Sequence, residues 1–335
     1  MKVLFVHNCP TEFVKIDSEL LSRRFVSREL CARLSARQFV TVPAAVAWAD
    51  VVVCWFASWH AIAPVLFAKL LGKSCVLIVG GYDSANMPEI HYGHQRGGAK
   101  KLISSWLIRN ASLLVVNSEY SAHEVTANVP HLRCPIRVIY HGIPDSFGND
   151  LAPNIPNRVI TVGNVCRSNL LRKGIRWFCE ASHLVPEAEF IVAGKHVDES
   201  VTYLRSISGS NVRFTGFLSA PDLAALYRSA SVYVQPSGHE AFGLSVAESM
   251  LAGCIPVVSN RGSLSEVVGD CGVVLKSCDP RTVADGIREA MRATPGQRVA
   301  ARARILTAFP VDKRGQALGD ALLMTAKRQR LPPNV

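Results

Sequence analysis

The chain has 335 residues, more than one small core accommodates, and 49% of them are hydrophobic against 19% charged, the balance of a globular protein rather than a disordered one. Lys and Arg number 37 against 26 Asp and Glu, a formal net charge of +11, so the partners expected are anionic: nucleic acid, an anionic membrane face or a phosphorylated substrate. The ten cysteines include no Cys-x-x-Cys pair, and residues 1–6 are too short for a secretory apolar region, which points to a reducing, cytoplasmic setting and against a disulfide framework.

Strand and helix patterns alternate along the chain. Residues 2–7 read as a strand and 17–35 as a basic helix carrying Arg23, Arg24, Arg28 and Arg33, with Arg37 just beyond. The apolar stretch 44–71 is interrupted by Asp50, His60 and Lys69, so it predicts a buried strand (50–55) and a packed helix (58–71) rather than a membrane span. Further strands are expected at 74–79, 112–116 and 137–140, with helices at 95–110 and 118–128, the second capped by Ser118. Residues 145–157 break the pattern with Gly, Pro, Asn and Asp, the composition of a linker. Strands then recur at 158–162, 189–193, 212–215, 232–235, 255–259 and 273–275, and helices dominate after Asp279. Such alternation predicts an α/β protein of two domains, each a doubly wound parallel sheet.

Two loops at strand carboxyl ends carry the chemistry. The first runs from Gly163 to Gly174 and places Arg167 and Lys173 between a strand end and a helix start, a candidate diphosphate clamp. The second, 237–253, is a strand–glycine loop–helix start with Glu240 in the loop and Glu248 in the helix. A helix N-terminus attracts phosphate, whereas carboxylates repel it; two glutamates there suit sugar hydroxyls, which need acceptors. Phosphate cradle and hydroxyl acceptors together fit a nucleotide sugar. A solvated basic loop and dipole-favouring glutamates are the structural alternatives, and spacing alone leaves both open.

In order and spacing, Gly163–Gly174, Val212–Phe217, Asp222–Ser237, Glu240–Gly253 and Pro256–Val258 resemble glycosyltransferase family 4. The resemblance implies the GT-B architecture, two Rossmann-like domains with an interdomain cleft. It divides the chain into an acceptor-side domain (1–147), a linker (148–157), a nucleotide-sugar-binding domain (158–310) and a C-terminal helix (311–330) expected to pack back on the first domain. It implies a retaining, metal-independent transferase with no cofactor beyond its co-substrate, a UDP- or GDP-linked sugar. Arg167 and Lys173 would hold the diphosphate, and Glu240 the donor sugar. Gly163 and residues Ala241, Phe242, Gly243 and Leu244 would line the phosphates, Glu248 the ribose, and Phe217 the base. The acceptor would be a glycan, a lipid-linked sugar or a small molecule.

The first half departs from the family pattern. The loop after the first strand, Asn8-Cys9-Pro10-Thr11, lacks the usual glycine pair, and Gly80-Gly81-Tyr82-Asp83 stands where a histidine is common. Asp83 is therefore the candidate acceptor-activating base, ahead of His91 and His94, although a turn role suits it equally. A catalytically silent donor-binding subunit and another GT-B enzyme, such as a sugar epimerase, remain alternatives. The basic residues Arg96, Lys100, Lys101 and Arg109 suggest a peripheral contact with the inner membrane face, or equally a solvated surface. They lack interleaved aromatics, so nucleic acid is not expected.

Overall fold

The computed structural model describes residues 1–32, 37–148, 151 and 153–330. The chain forms two compact units, one of residues 1–142 with 311–335, the other of residues 143–310. The division falls at Gly142–Ile143, just ahead of the Pro- and Asn-rich stretch that composition marks as the linker.

The first unit holds six strands: β1 (Lys2–His7), β2 (Val26–Cys31), β3 (Val51–Trp55), β4 (Ser74–Val79), β5 (Leu113–Val116) and β6 (Ile136–Val138). They pair in parallel in the order β2-β1-β3-β4-β5-β6. Every residue of β3, β4 and β5 is buried, as a strand covered on both faces requires. Successive side chains point to opposite faces, so Leu4 and Val6 feed one core while Val3 and Phe5 feed the other.

The sequence pattern fails at one place here. The helix expected over 17–35 is a helix at Glu12–Arg24 followed by β2, whose residues are mostly exposed or half-buried. An edge strand buries too little to show an apolar run, and its polar residues resemble a solvated helix face. Arg28 accordingly lies in a strand, Arg33 falls outside the described residues, and Arg37 opens the next helix, Arg37–Trp48.

The C-terminal helix, Val311–Arg330, belongs to this first unit and buries Leu318, Ala321 and Leu322 among Val3, Phe5, Val14 and Trp55. Arg314 fixes it. Its guanidinium grips both oxygens of Asp17 (Nε–Oδ1 2.5 Å) and donates to the carbonyls of Ile139 and Tyr140. The Trp55 indole N–H donates to Asp17 Oδ2 at 2.8 Å, so a carboxylate with no exposure is fully partnered.

The second unit has β7 (Arg158–Val162), β8 (Glu189–Ala193), β9 (Val212–Gly216), β10 (Val232–Gln235), β11 (Ile255–Ser259) and β12 (Val273–Leu275). The parallel order is β12-β11-β10-β7-β8-β9. The chain winds outward from β7 to β9, then returns to β10 and winds the other way. The loops after β7 and β10 therefore diverge from neighbouring strands, the switch point where doubly wound sheets take ligands.

Removing one partner of a buried ion pair strands the other charge, at about 3–5 kcal/mol. Arg314→Met is expected to lower the urea midpoint of the first unit's unfolding, followed by circular dichroism, and to leave the second unit's transition in place.

Candidate functional site

Three loops meet at the β7/β10 switch point. Gly174 ends the first in the left-handed region (φ +72°), and a Cβ there would collide with the Pro236 carbonyl of the second. The Gly238 N–H donates to the carbonyls of Leu171 (3.2 Å) and Arg172 (2.9 Å), tying the same two loops together. The third loop follows β11. Its Ser263 N–H donates to the Glu240 carbonyl at 3.0 Å, and Gly262 lies so close to the Glu240 backbone that only glycine fits. Glu240 is thus held by its main chain before its side chain makes a contact.

The side chain then completes the arrangement. Lys173 Nζ donates to Glu240 Oε2 at 2.7 Å, and Gln235 Nε2 donates to the same oxygen at 2.8 Å. Gln235 is itself set by the Tyr233 hydroxyl at 2.8 Å. Burial pushes the Glu240 carboxyl up, but the neighbouring charges of Lys173, Arg172 and His239 overrule it and hold the group below its ordinary value. Both described hydrogen bonds fall on Oε2. Oε1 has no partner among the described contacts and can accept from a ligand hydroxyl.

The helix Leu244–Leu251 starts beside this carboxylate. Gly243 (φ +100°) caps it, and the Gly243 carbonyl takes the N–H groups of Val246 and Ala247. Helix geometry leaves the earliest N–H groups directed outward, where an anion is favoured. Ala241 is half-buried, Phe242 packs edge-on to Phe309 with centroids 5.3 Å apart, and Leu244 is half-buried. Glu248 lies one turn into the helix, half-buried, and accepts from the Tyr227 hydroxyl at 3.2 Å.

The structure brings Lys173, Glu240, Gly163 and the 241–244 turn to one place, with Glu248 a turn deeper. The Arg167 backbone N–H donates to Asp198 Oδ2 at 2.9 Å, and the residue lines an open cleft with Leu170, Asp198 and Tyr203. The second cation acting on Glu240 is Arg172, whose guanidinium holds Asn169 Oδ1 through Nε (3.0 Å) and a terminal nitrogen (2.7 Å). Arg172 was legible as the residue before Lys173, and Gln235 as a polar end to an apolar strand; His239 gives no signal in sequence. Phe217 is 77% exposed after the Gly216 turn, at the end of edge strand β9.

In the first unit, Asp83 is buried. Its Oδ2 accepts from the Ala57 N–H at 2.8 Å, and its Oδ1 from Gly80 (3.0 Å) and Gly81 (2.9 Å). Burial raises its carboxyl above the ordinary value against the pull of these N–H groups. These contacts join the loops after β3 and β4. His94 is half-buried, with burial lowering its imidazole, and His91 is exposed with its carbonyl held by Arg96.

The fold is GT-B. Across 97% of this chain and 100% of the other, it superposes with a TM-score of 0.75 and 18% identity on Anabaena Alr3699/HepE in complex with UDP-glucose. Residues 156–293 match the family described as glycosyl transferases group 1. In sequence the chain is 36% identical over 121 residues to O-antigen chain mannosyltransferase B of Escherichia coli, covering 33% of this chain and 31% of that protein. It is 27% identical over 240 residues to the lipopolysaccharide core biosynthesis mannosyltransferase LpcC of Rhizobium leguminosarum bv. viciae, covering 64% and 65%. The matches thus span less than two thirds of either relative. The likeness to the family-4-type glycosyltransferases is carried by residues 156–293, less than half of the chain.

A carboxyl held below its ordinary value stabilises the fold above that value and loses the contribution as pH falls through the folded one. Glu240→Gln is expected to cost about 1.5–3 kcal/mol at neutral pH, as a charged hydrogen bond does. The gap to the parent chain, measured by urea unfolding across pH, should close as pH drops below 4.5.

Proposed function

We propose that the second unit binds a nucleoside-diphosphate sugar, UDP- or GDP-linked, and that the chain moves its glycosyl group to a glycan, lipid-linked or small-molecule acceptor. Retention of anomeric configuration and independence of a bound metal are part of the proposal. The observation that carries it is Glu240, an ionised carboxylate with one oxygen locked by Lys173 and Gln235 and the other open, beside a helix N-terminus. Oε1 accepts a donor-sugar hydroxyl. Lys173, with one of its three N–H donors spent on Glu240, turns the others to the diphosphate and stabilises the charge that develops on the leaving group. Glu248 accepts from the ribose. The relatives' names, both mannosyltransferases of bacterial surface glycans, favour a hexosyl donor and a glycan acceptor.

A second reading is a donor-binding chain without transfer activity, favoured by the commitment of Asp83 to backbone N–H groups. Differential scanning fluorimetry against UDP-, GDP- and ADP-sugars is expected to show stabilisation by one class, about 2.7 kcal/mol at a hundred times its dissociation constant. With that donor, Lys173→Ala and Glu240→Ala should lose transfer at least a hundredfold, and EDTA should leave the parent's turnover intact. Donor binding with no transfer to any glycan acceptor favours the second reading; full turnover by both variants removes the site assignment.

We further infer that the first unit meets the anionic inner face of a membrane as a peripheral protein of the cytoplasm. Leu66, Leu70, Leu71 and Leu102 are exposed on or beside two packed helices, Ile62–Leu70 and Gly98–Asn110, among Lys69, Lys100 and Lys101. Among the described residues no helix is long and apolar enough to cross a membrane. Flotation is expected with anionic vesicles and not with neutral ones, and Leu70→Glu with Leu102→Glu should abolish it; equal recovery from both vesicle types refutes the contact.

A further inference from the structure

The first unit contains a cavity of about 590 Å³ at the amino ends of β4, β5 and β6, the opposite edge of the sheet from the carboxyl ends where doubly wound folds take ligands. Its volume lies within the ~300–1,000 Å³ typical of small-ligand sites. Five cationic side chains line it: Lys69, Lys73, Arg109, Arg133 and Arg137. Among the described residues no carboxylate does.

What these cations bind within the protein is uncharged. Lys69 donates to the Asn110 side-chain oxygen at 2.6 Å, Arg109 to the Pro130 carbonyl at 3.0 Å, and Arg137 to the Met324 sulfur at 3.0 Å. For Lys73 and Arg133 no side-chain partner is found among the described residues. Three arginines elsewhere are paired with an acid: Arg158 with Glu189, Arg302 with Asp145, Arg314 with Asp17. Five like charges around one hollow repel one another, and an anion placed among them relieves that repulsion.

We propose that this cavity binds a phosphoryl group carried on an organic body. Guanidinium forks match phosphate oxygens in pairs, and a lysine ammonium adds a point charge. Leu113, Ile136 and Met324, which also line the cavity, supply an apolar wall for the carbon portion. The site is separate from the one around Glu240 and does not depend on the glycosyl-transfer reading. The phosphoryl group comes either from a soluble phosphorylated metabolite or from a lipid headgroup.

The test uses the full chain carrying Lys173→Ala, which disables the diphosphate contact of the other site. Calorimetric titration with inorganic pyrophosphate at low salt is expected to show one site. Adding Lys73→Gln and Arg133→Gln should weaken it at least tenfold, with unchanged circular dichroism and melting temperature confirming the fold. Adding Arg137→Gln in place of that pair, should the pair unfold the chain, is expected to give the same weakening. Vesicles of phosphatidic acid that compete with pyrophosphate identify a headgroup as the source, and vesicles that do not compete identify a soluble ligand. Absence of pyrophosphate binding in the Lys173→Ala chain, or binding that survives loss of the cavity charges, overturns the proposal.

Discussion

The contact between Lys173 and Glu240 spans two loops that leave neighbouring strands in divergent directions, and the arrangement at the switch point of the second unit depends on it. A carboxylate with 15% of its side chain exposed is unstable as an ion unless cations lie close, and Lys173 and Arg172 supply them. The geometry is fixed beforehand by backbone. Gly174 and Gly262 let main chain meet main chain where any Cβ would intrude, so the ion pair forms between loops that are already positioned. Such preorganisation suits a site that must meet a charged ligand without rearranging.

The first unit solves a different problem. Its last helix arrives from the far end of the sequence, after the chain has passed through the whole second unit. An apolar helix face alone would dock in several registers. Arg314 reaches Asp17, Ile139 and Tyr140 together, and only one register satisfies all three. Buried ion pairs often add little net stability over apolar packing, so register is the better account of this one.

The two units also differ in how they treat charge. Around Glu240, cations and an acid balance. At the amino edge of the first sheet, cations stand together with no acid among the described residues that line the cavity. The family match, residues 156–293, lies within the second unit. The first unit is where this chain departs most from that pattern, at Asn8–Thr11 and at the Gly80–Asp83 turn.

Much of this was legible in the sequence. Strands such as β4 and β10 are continuous apolar runs because both their faces are covered, and a run of that kind admits few other readings. Glu240 and Lys173 could be named because each sits at a fixed offset from a strand end and a glycine. Edge strand β2 was hidden, since half-exposed residues carry no periodic signal. That Arg172 acts on Glu240 beside Lys173 needed the loop's path, which hydrogen bonds through Asn169 and Gly238 determine. The bond from the Ala57 N–H to Asp83 needed it too, since a carboxylate after two glycines reads as a base or a turn residue with equal ease. The sequence by itself determined the alternation of elements and the residue types at each strand end, because burial and backbone geometry act locally. Which of those residues face one another was decided by tertiary structure alone, because such contacts join positions tens to hundreds of residues apart.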